Sequence, residues 1–294
     1  MANLRDVRLR MRAIRQTLQV TKAMNLISTA KLRKGRRILL DVEPFFTRIQ
    51  KSMFDILAGA RMGKSKFLAS PEREKTSRTA IIAITSDKGL AGGYNANIFR
   101  QVNLLCEKAA NPILILVGSV GYRYFIHSPW LVMENFSFKS RLPELDEAKE
   151  IADYIISQYQ WGIFDEVHLV YTHMYSSIRL LPRERQLLPL NPESMQEEFE
   201  KSGGKREKLQ FEYVPSKEAV FDSLVPMYVK GIIYGSLVEA YVSEQSARMS
   251  AMDEASKNAE DMLASLQINY NRARQAGITQ EMTEIVGGAE ALSN

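Results

Sequence analysis

The sequence predicts an α/β protein with a long antiparallel coiled coil of N- and C-terminal helices and a central α/β domain with a mainly parallel sheet. Three observations lead to this prediction. Apolar residues near the N-terminus follow steps of three and four, a similar pattern recurs near the C-terminus without proline, and short β-branched runs lie between them. The 3-4 spacing is typical of a left-handed coiled-coil seam. The β-branched runs are typical of buried strands.

The N-terminal pattern predicts a helix over residues 1–58. Its seam positions are Leu4, Val7, Met11, Ile14, Leu18, Thr21, Asn25, Ser28, Leu32, Leu39, Val42, Phe46, Ile49, Met53 and Ile56. The polar seam residues Thr21, Asn25 and Ser28 weaken the packing but can fix its register. Gly35 interrupts the pattern, and Pro44, which has no N–H, is expected to kink or break the helix.

The C-terminal pattern predicts a second long helix within 217–294. Its seam positions are Met252, Ala255, Ala259, Met262, Leu266, Tyr270 and Ala273. At about 1.5 Å per residue the two helices would reach roughly 80 and 95 Å. A compact chain of this length would be only about 50 Å across. The helices are therefore expected to project from the central domain as one antiparallel pair.

The central segment, 77–190, is predicted to be a Rossmann-like domain. Its strands are expected at Thr79–Thr85, Pro112–Val117 and Glu166–Thr172, and helical patterns cover 94–109, 119–127 and 144–160. Alternation of strands and helices indicates a mainly parallel sheet with helices on its faces. Residues 191–216 are expected to form a loop and foot segment.

A glycine-rich segment, Ser86–Asn95, follows the first strand and opens a helix. Such loops can cradle phosphate at a helix N-terminus. Its glycines, however, match neither the G-x-x-x-x-G-K-[ST] order nor G-x-G-x-x-G. We therefore expect a tight strand-to-helix turn, capped by Asp87 or Ser86, and no nucleotide binding.

Charge is distributed unevenly along the chain. Residues 1–40 hold eleven Lys or Arg and one acid, a net charge of +10, whereas the whole chain carries +5. This asymmetry indicates an acidic partner for the N-terminal helix.

One cysteine, Cys106, excludes an internal disulfide, and the three histidines have no Cys or acid at ligand spacing, so neither a metal nor a cofactor is expected. The sequence has no run of eighteen apolar residues and no hydrophobic signal region, which favours a cytoplasmic protein.

The C-terminal end has a regular helical pattern of acidic and apolar residues, although most chain ends are poorly ordered. Glu281 and Glu284 share one helical face, with an apolar stripe of Ile278, Met282 and Ile285 beside them. A patterned terminus indicates a partner that holds it.

Several motifs resemble those of the gamma subunit of F-type ATP synthases, in the same order. Val20-Thr21-Lys22-Ala23-Met24 resembles the N-terminal I-T-K-A-M block, and Ala30-Lys31-Leu32-Arg33 its A-A-A-K-L-R continuation. Ser86–Asn95 resembles the S-D-x-G-L-x-G-G-x-N segment of the central domain, which is not a nucleotide site in that family. Departures are the Val at position 20 and the run 25–28, which replaces the commoner K-M-V-A.

The C-terminal half carries the rest of the resemblance. Ser243–Ala259 resembles the start of the family's C-terminal helix, and Asn271–Ala276 with Ile278–Leu292 resembles its terminal signature. The cysteine-bearing insert of the chloroplast form has no counterpart here.

This resemblance implies a non-catalytic subunit, present in one copy per complex. It would be the central rotor shaft that couples ion-driven c-ring rotation to the catalytic sites of the beta subunits. Its partners would be the alpha and beta subunits, the epsilon subunit and the membrane c-ring, at the cytoplasmic face of a bacterial plasma membrane. The basic N-terminal helix would then face an acidic lever of beta.

The resemblance also implies partner-binding residues. Lys22 and Met24 would meet beta close to Arg248, although Met24 could equally be a seam residue. The other candidates are Arg33, Arg36, Arg274, Gln275, Thr279, Glu281 and Glu284, and Phe211, Glu212 and Tyr213 near the c-ring.

Two other classes of protein stay open. A nucleic-acid-binding coiled coil would place the +10 segment on phosphates, but residues 1–40 contain no aromatic residue for base stacking. A Rossmann-like enzyme would use the central domain, but no paired acids, Ser-His-Asp set or dinucleotide fingerprint accompany it.

Overall fold

The computed structural model describes residues 4–58, 65–68, 78–138, 141–176, 179–192 and 213–293. Contacts divide the chain into two units. The first falls within Met1–Ser28 and Arg248–Asn294, and the second within Thr29–Ala247. The two terminal helices, α1 (Leu4–Ala58) and the last helix (Lys217–Ser293), each contribute to both units. The assignment of the chain to four segments stays a prediction.

The second unit contains one five-stranded sheet. Its strands are β1 (Arg78–Ile84), β2 (Asn111–Val117), β3 (Leu131–Phe136), β4 (Glu166–Met174) and β5 (Leu180–Leu188). Their order is β3-β2-β1-β4-β5, with every pair parallel except β4–β5, which is antiparallel. The predicted mainly parallel sheet is thus confirmed. Strands β3 and β5, at its two edges, were not among the predicted strands.

Helices cover both faces of this sheet. They are α2 (Tyr94–Lys108), α3 (Ser119–Phe125), α4 (Leu145–Gln160) and α5, the last helix. Alternate residues of β1 face opposite sides, as the period of a strand requires. Ile82 packs in a core with α4 and parts of α1 and α5, whereas Ile81 packs with α2 and α3. Cys106 lies in this second core, and burial raises the pKa of its thiol to about 12.

Two glycines allow the long helices to approach closely within the second unit. A Cβ at Gly35 of α1 would lie 2.7 Å from Val242 Cγ2 of α5. A Cβ at Gly231 of α5 would lie 2.4 Å from the Phe46 ring of α1. Gly35 is therefore a close-packing position and not a flaw in the helix.

Both long helices contain an internal proline. Helix α1 continues through Pro44 and α5 through Pro226, so of the kink or break expected at Pro44, the break does not occur. Pro44 has no N–H to donate to the carbonyl oxygen of Leu40, one turn earlier. Both residues are exposed, so water can bond this carbonyl oxygen instead. Among the described residues, no helix is apolar over a length sufficient to cross a membrane.

The Gly231 contact leads to a stability prediction. Alanine is favoured over glycine inside a helix by about 0.5–1 kcal/mol. We expect Gly231→Ala to lower the free energy of unfolding nevertheless, because its Cβ would overlap the Phe46 ring. Gly235→Ala, one turn later, is the matched control: its Cβ would be 4.0 Å from the same ring, and it should be neutral or stabilising. Urea unfolding of both variants measures the difference; equal stabilisation would contradict this packing.

Candidate functional site

The N- and C-terminal helices pair in the first unit, and this pair is the candidate functional site. Arg8 contacts Tyr270, Thr21 contacts Ser256 and Asn25 contacts Met249. As the residue number on α1 increases, the residue number of its partner on α5 decreases. This confirms the predicted antiparallel pairing. On α1, seam residues Val7, Met11, Thr21 and Ser28 are buried, as their spacing predicts.

The seam of α5 differs from its predicted positions. Ser256 is buried and Met262 is 53% exposed. From Met252 to Gly277 the buried and half-buried positions are Met252, Ala255, Ser256, Ala259, Leu263, Leu266, Tyr270, Ala273 and Gly277. Apart from Ala255, which adjoins Ser256, these positions follow alternating steps of four and three. The assignment of Met262 was therefore wrong, and Ser256 was missed because it is polar.

Polar contacts join the two helices in the middle of this pair. Thr21 Oγ1 and Ser256 Oγ lie 2.7 Å apart, and each hydroxyl also reaches a carbonyl oxygen of its own helix, at Leu18 and Met252. Asn25 Nδ2 donates to the carbonyl oxygen of Met249 at 3.1 Å. A shifted register would break the contact between the two hydroxyls and the bond from Asn25 to Met249, so these polar contacts favour one register over others.

Ionic and aromatic contacts lie on the outside of the same pair. Lys22 Nζ is 2.6 Å from Glu260 Oε1, with both side chains more than half exposed. Arg8 Nη2 donates to Tyr270 Oη at 2.7 Å. An exposed ion pair contributes at most about 1 kcal/mol, so these contacts guide the pairing more than they stabilise it.

The Lys22 side chain pairs with Glu260, whereas Asn25, three residues later on α1, bonds the carbonyl oxygen of Met249, the residue next to Arg248. Glu260 is twelve residues beyond Arg248 on α5. At about 1.5 Å per residue, that is about 18 Å along the helix. Arg248 itself is only 7% exposed, so it presents little surface to a partner.

The C-terminal end of α5 exposes an apolar stripe. Gly277 lies opposite Leu4, at the start of the described part of α1, and α5 continues to Ser293. Beyond Gly277 the side chains of Ile278, Met282, Ile285 and Val286 are 49–71% exposed. Large exposed apolar groups in a cluster mark a surface for interaction.

The glycine-rich turn of the second unit makes hydrogen bonds within itself and to the start of α3. Asn95 Oδ1 accepts from the Ser86 N–H, Asn95 Nδ2 donates to Ser86 Oγ, and Ser86 Oγ donates to the Lys88 carbonyl oxygen. Gly93, at the N-cap of α2, has no side-chain cap. Asp87 instead accepts the N–H of Ser119 at the start of α3. The predicted cap on the following helix is therefore wrong, because Asp87 serves a helix that comes later in the chain.

Comparison with known proteins decides the family. A sequence model of the ATP synthase family, described as "ATP synthase", matches residues 3–292. The ATP synthase gamma chain of Acetivibrio thermocellus is 40% identical over 294 residues, covering 99% of this chain and 100% of the relative. That of Ruminiclostridium cellulolyticum is 41% identical over 291 residues, covering 99% of each. The chain belongs to the ATP synthase gamma family.

A solved structure shares the fold of this gamma-family chain. A chain of the Euglena gracilis mitochondrial ATP synthase matches with a TM-score of 0.68 at 17% identity, over 98% of this chain and 94% of that one. The two chains therefore share one overall fold. None of the matches supports the nucleic-acid alternative.

The predicted partner-binding residues of this gamma-family chain lie on several surfaces. Lys22 is exposed and Met24 half-buried in the first unit, and Arg33 and Arg36 are exposed in the second. The remaining C-terminal candidates, Arg274, Gln275, Thr279, Glu281 and Glu284, are all exposed on α5. Tyr213 is half-buried against the core of the second unit, where burial and the Asp55 carboxylate raise its pKa. Phe211 and Glu212 lie outside the described residues.

Proposed function

We propose that this chain is the central rotor shaft of an F-type ATP synthase. It would couple c-ring rotation to conformational changes at the catalytic sites of the beta subunits, in ATP synthesis or hydrolysis. The observation that carries the proposal is the exposed apolar end of α5 beyond Gly277. A long helix pair that ends in an uncovered apolar stripe suits a shaft whose tip is held by a ring of other subunits.

The physical requirement for coupling is an asymmetric surface. Each orientation of the shaft must contact the beta subunits differently, because a partner with equal affinity for all states shifts none of them. Helix α1 presents basic side chains, including Arg5, Arg12 and Arg15, on its exposed side. Glu281 and Glu284 give the α5 tip a different charge. These differences support orientation-dependent contacts.

The proposed partners are the alpha and beta subunits, the epsilon subunit and the membrane c-ring. In this arrangement one copy of the chain serves each complex and holds no catalytic site or cofactor of its own. The complex would place it peripherally at the cytoplasmic face of the membrane. Lys22, Met24 and the exposed α5 candidates would meet the ring, and the segment containing Tyr213 would lie near the c-ring.

Reconstitution tests the assignment. The full chain, mixed with alpha and beta subunits of the same enzyme, should purify with them at moderate salt and support ATP-driven rotation. A nucleic-acid-binding protein would instead bind duplex DNA with an affinity that falls steeply as salt rises. Recovery of DNA and not of alpha and beta would overturn the proposal.

A disulfide across the seam tests the helix pair within the assembled complex. Cysteines at Thr21 and Ser256 should crosslink on oxidation, because the two hydroxyl oxygens are 2.7 Å apart. Rotation should persist, since both helices would belong to one rotor. Gln19→Cys with Ser256→Cys is the control, because Gln19 is exposed on another face of α1 and should not crosslink. Crosslinking of the control alone would mean that the seam is wrong.

A further inference from the structure

The second unit contains a cavity that the shaft function does not use. Its volume is about 410 Å³, and it lies between α1, the β4–β5 hairpin and α5. Ligand-binding cavities commonly measure roughly 300–1,000 Å³. One wall is apolar and comes from α1, with Leu39, Val42 and Phe46. This wall can accept a hydrocarbon group.

Small residues of α5 keep this cavity open. Gly231 and Gly235 both line it. At Gly231 the Phe46 ring occupies the place of a side chain, whereas at Gly235 a Cβ would find its nearest neighbour, the same ring, 4.0 Å away. A larger side chain at Gly235 would therefore extend into the space.

The opposite wall is cationic. Arg183 and Arg185 alternate along β5 with the exposed Glu184, so both point to the same side of the sheet and line the cavity. Guanidinium groups bind carboxylates and phosphates through paired N–H donors. Two of them at one wall favour an anionic group.

The other titratable groups of the cavity do not cancel this charge. Glu239 of α5 and His173 of β4 lie against each other at its edge. Burial raises the pKa of Glu239, and His173 and Arg183 oppose that rise. Even with Glu239 ionised, the two guanidinium groups give the lining a net charge of at least +1; with Glu239 protonated, it is at least +2. Tyr171 and Ser236 add hydroxyl groups nearby.

We propose that this cavity binds a small organic anion whose carboxylate or phosphate is attached to an apolar body. The anionic group would lie against Arg183 and Arg185, and the apolar body against the α1 wall. A ligand held there would contact α1, the hairpin and α5 at once.

Calorimetric titration of the full chain tests the site with defined probes. Octanoate and octyl phosphate carry the two anionic groups on the same body. Octanol has the body without the charge, and acetate and inorganic phosphate have the charge without the body. We expect one of the two octyl anions, or both, to bind at one per chain, about tenfold or more tighter than octanol, acetate and phosphate. Whichever of octanoate and octyl phosphate binds more tightly identifies the anionic group that the site prefers.

Three variants locate the binding. Arg183→Gln should lower the affinity for the octyl anion by about tenfold or more. Gly235→Leu should abolish binding by filling the space. Arg179→Gln is the matched control, because it removes the same charge from the chain just before β5, at a residue that stacks on Tyr175 outside the cavity. Thermal unfolding checks that each variant is folded. Octanol binding as tightly as both anions, equal losses in Arg183→Gln and Arg179→Gln, unchanged affinity in a folded Gly235→Leu, or no binding by the unaltered chain would each overturn the proposal.

Discussion

Replacing Met24 with lysine is expected to leave ATP hydrolysis largely intact while ion pumping per ATP falls. Met24 is half-buried on α1, between Lys22, which pairs with Glu260, and Asn25, which bonds the Met249 carbonyl. A lysine there would add a charge to a surface that, in the proposed function, meets a different beta subunit at each step. In one orientation it could bond a beta carboxylate, at roughly 1–3 kcal/mol for a charged hydrogen bond.

The reason for uneven rotation is that such a contact stabilises one orientation and not the others. A stabilisation of about 1.4 kcal/mol changes an equilibrium tenfold, which is enough to make the steps unequal. Changes at Gln275, Thr279 or Glu281 could partly restore pumping by loosening the contacts of the α5 tip.

Proton pumping and hydrolysis, measured on the same membranes, decide this prediction. Met24→Leu is the control, because it conserves volume and polarity and should leave both activities near those of the unaltered complex. Equal loss of pumping and hydrolysis in Met24→Lys, or loss of neither, would show that position 24 serves only to pack the seam.

Elements with a strong repeating pattern could be predicted from the sequence. The α1 seam was found because its 3-4 spacing continues through the polar Thr21, Asn25 and Ser28, and strands β1, β2 and β4 were found because their buried residues are almost all apolar. The edge strands β3 and β5 were missed for a physical reason. An edge strand is only partly covered, so β5 mixes charged and apolar residues. It can also contain Pro182, because an edge strand pairs on one side only and the missing N–H removes no required hydrogen bond of the sheet.

Positions that depend on a distant neighbour could not be predicted. Ser256 belongs to the seam because Thr21 faces it from the other helix, and apolar spacing favoured Ala255 instead. Asp87 bonds the start of α3, which is 32 residues away in the sequence. The role of Gly35 depends on Val242 of α5. In each case the deciding contact is between residues far apart in the chain.

Gly118, which connects β2 to α3, is where we expect the largest loss of stability from a single added methyl group. Its φ is +99°, a conformation that residues with a side chain rarely adopt. A Cβ there would also lie 2.3 Å from the carbonyl oxygen of Thr85. Because that oxygen belongs to the backbone next to the buried strand β1, it cannot move aside as a flexible side chain could.

Gly118→Ala is therefore expected to lower the free energy of unfolding by roughly 3–5 kcal/mol, which combines backbone strain with a steric overlap. Gly162→Ala separates the two causes. Gly162 also has a positive φ, +72°, but a Cβ there would meet nothing within 4 Å, so only the strain of about 1–2 kcal/mol should remain. Urea unfolding of the purified chains gives both values, and the yield of assembled complex should fall more for Gly118→Ala. Equal losses in the two variants would mean that the Thr85 carbonyl moves away freely, and that the turn between β2 and α3 is less tightly packed than these distances indicate.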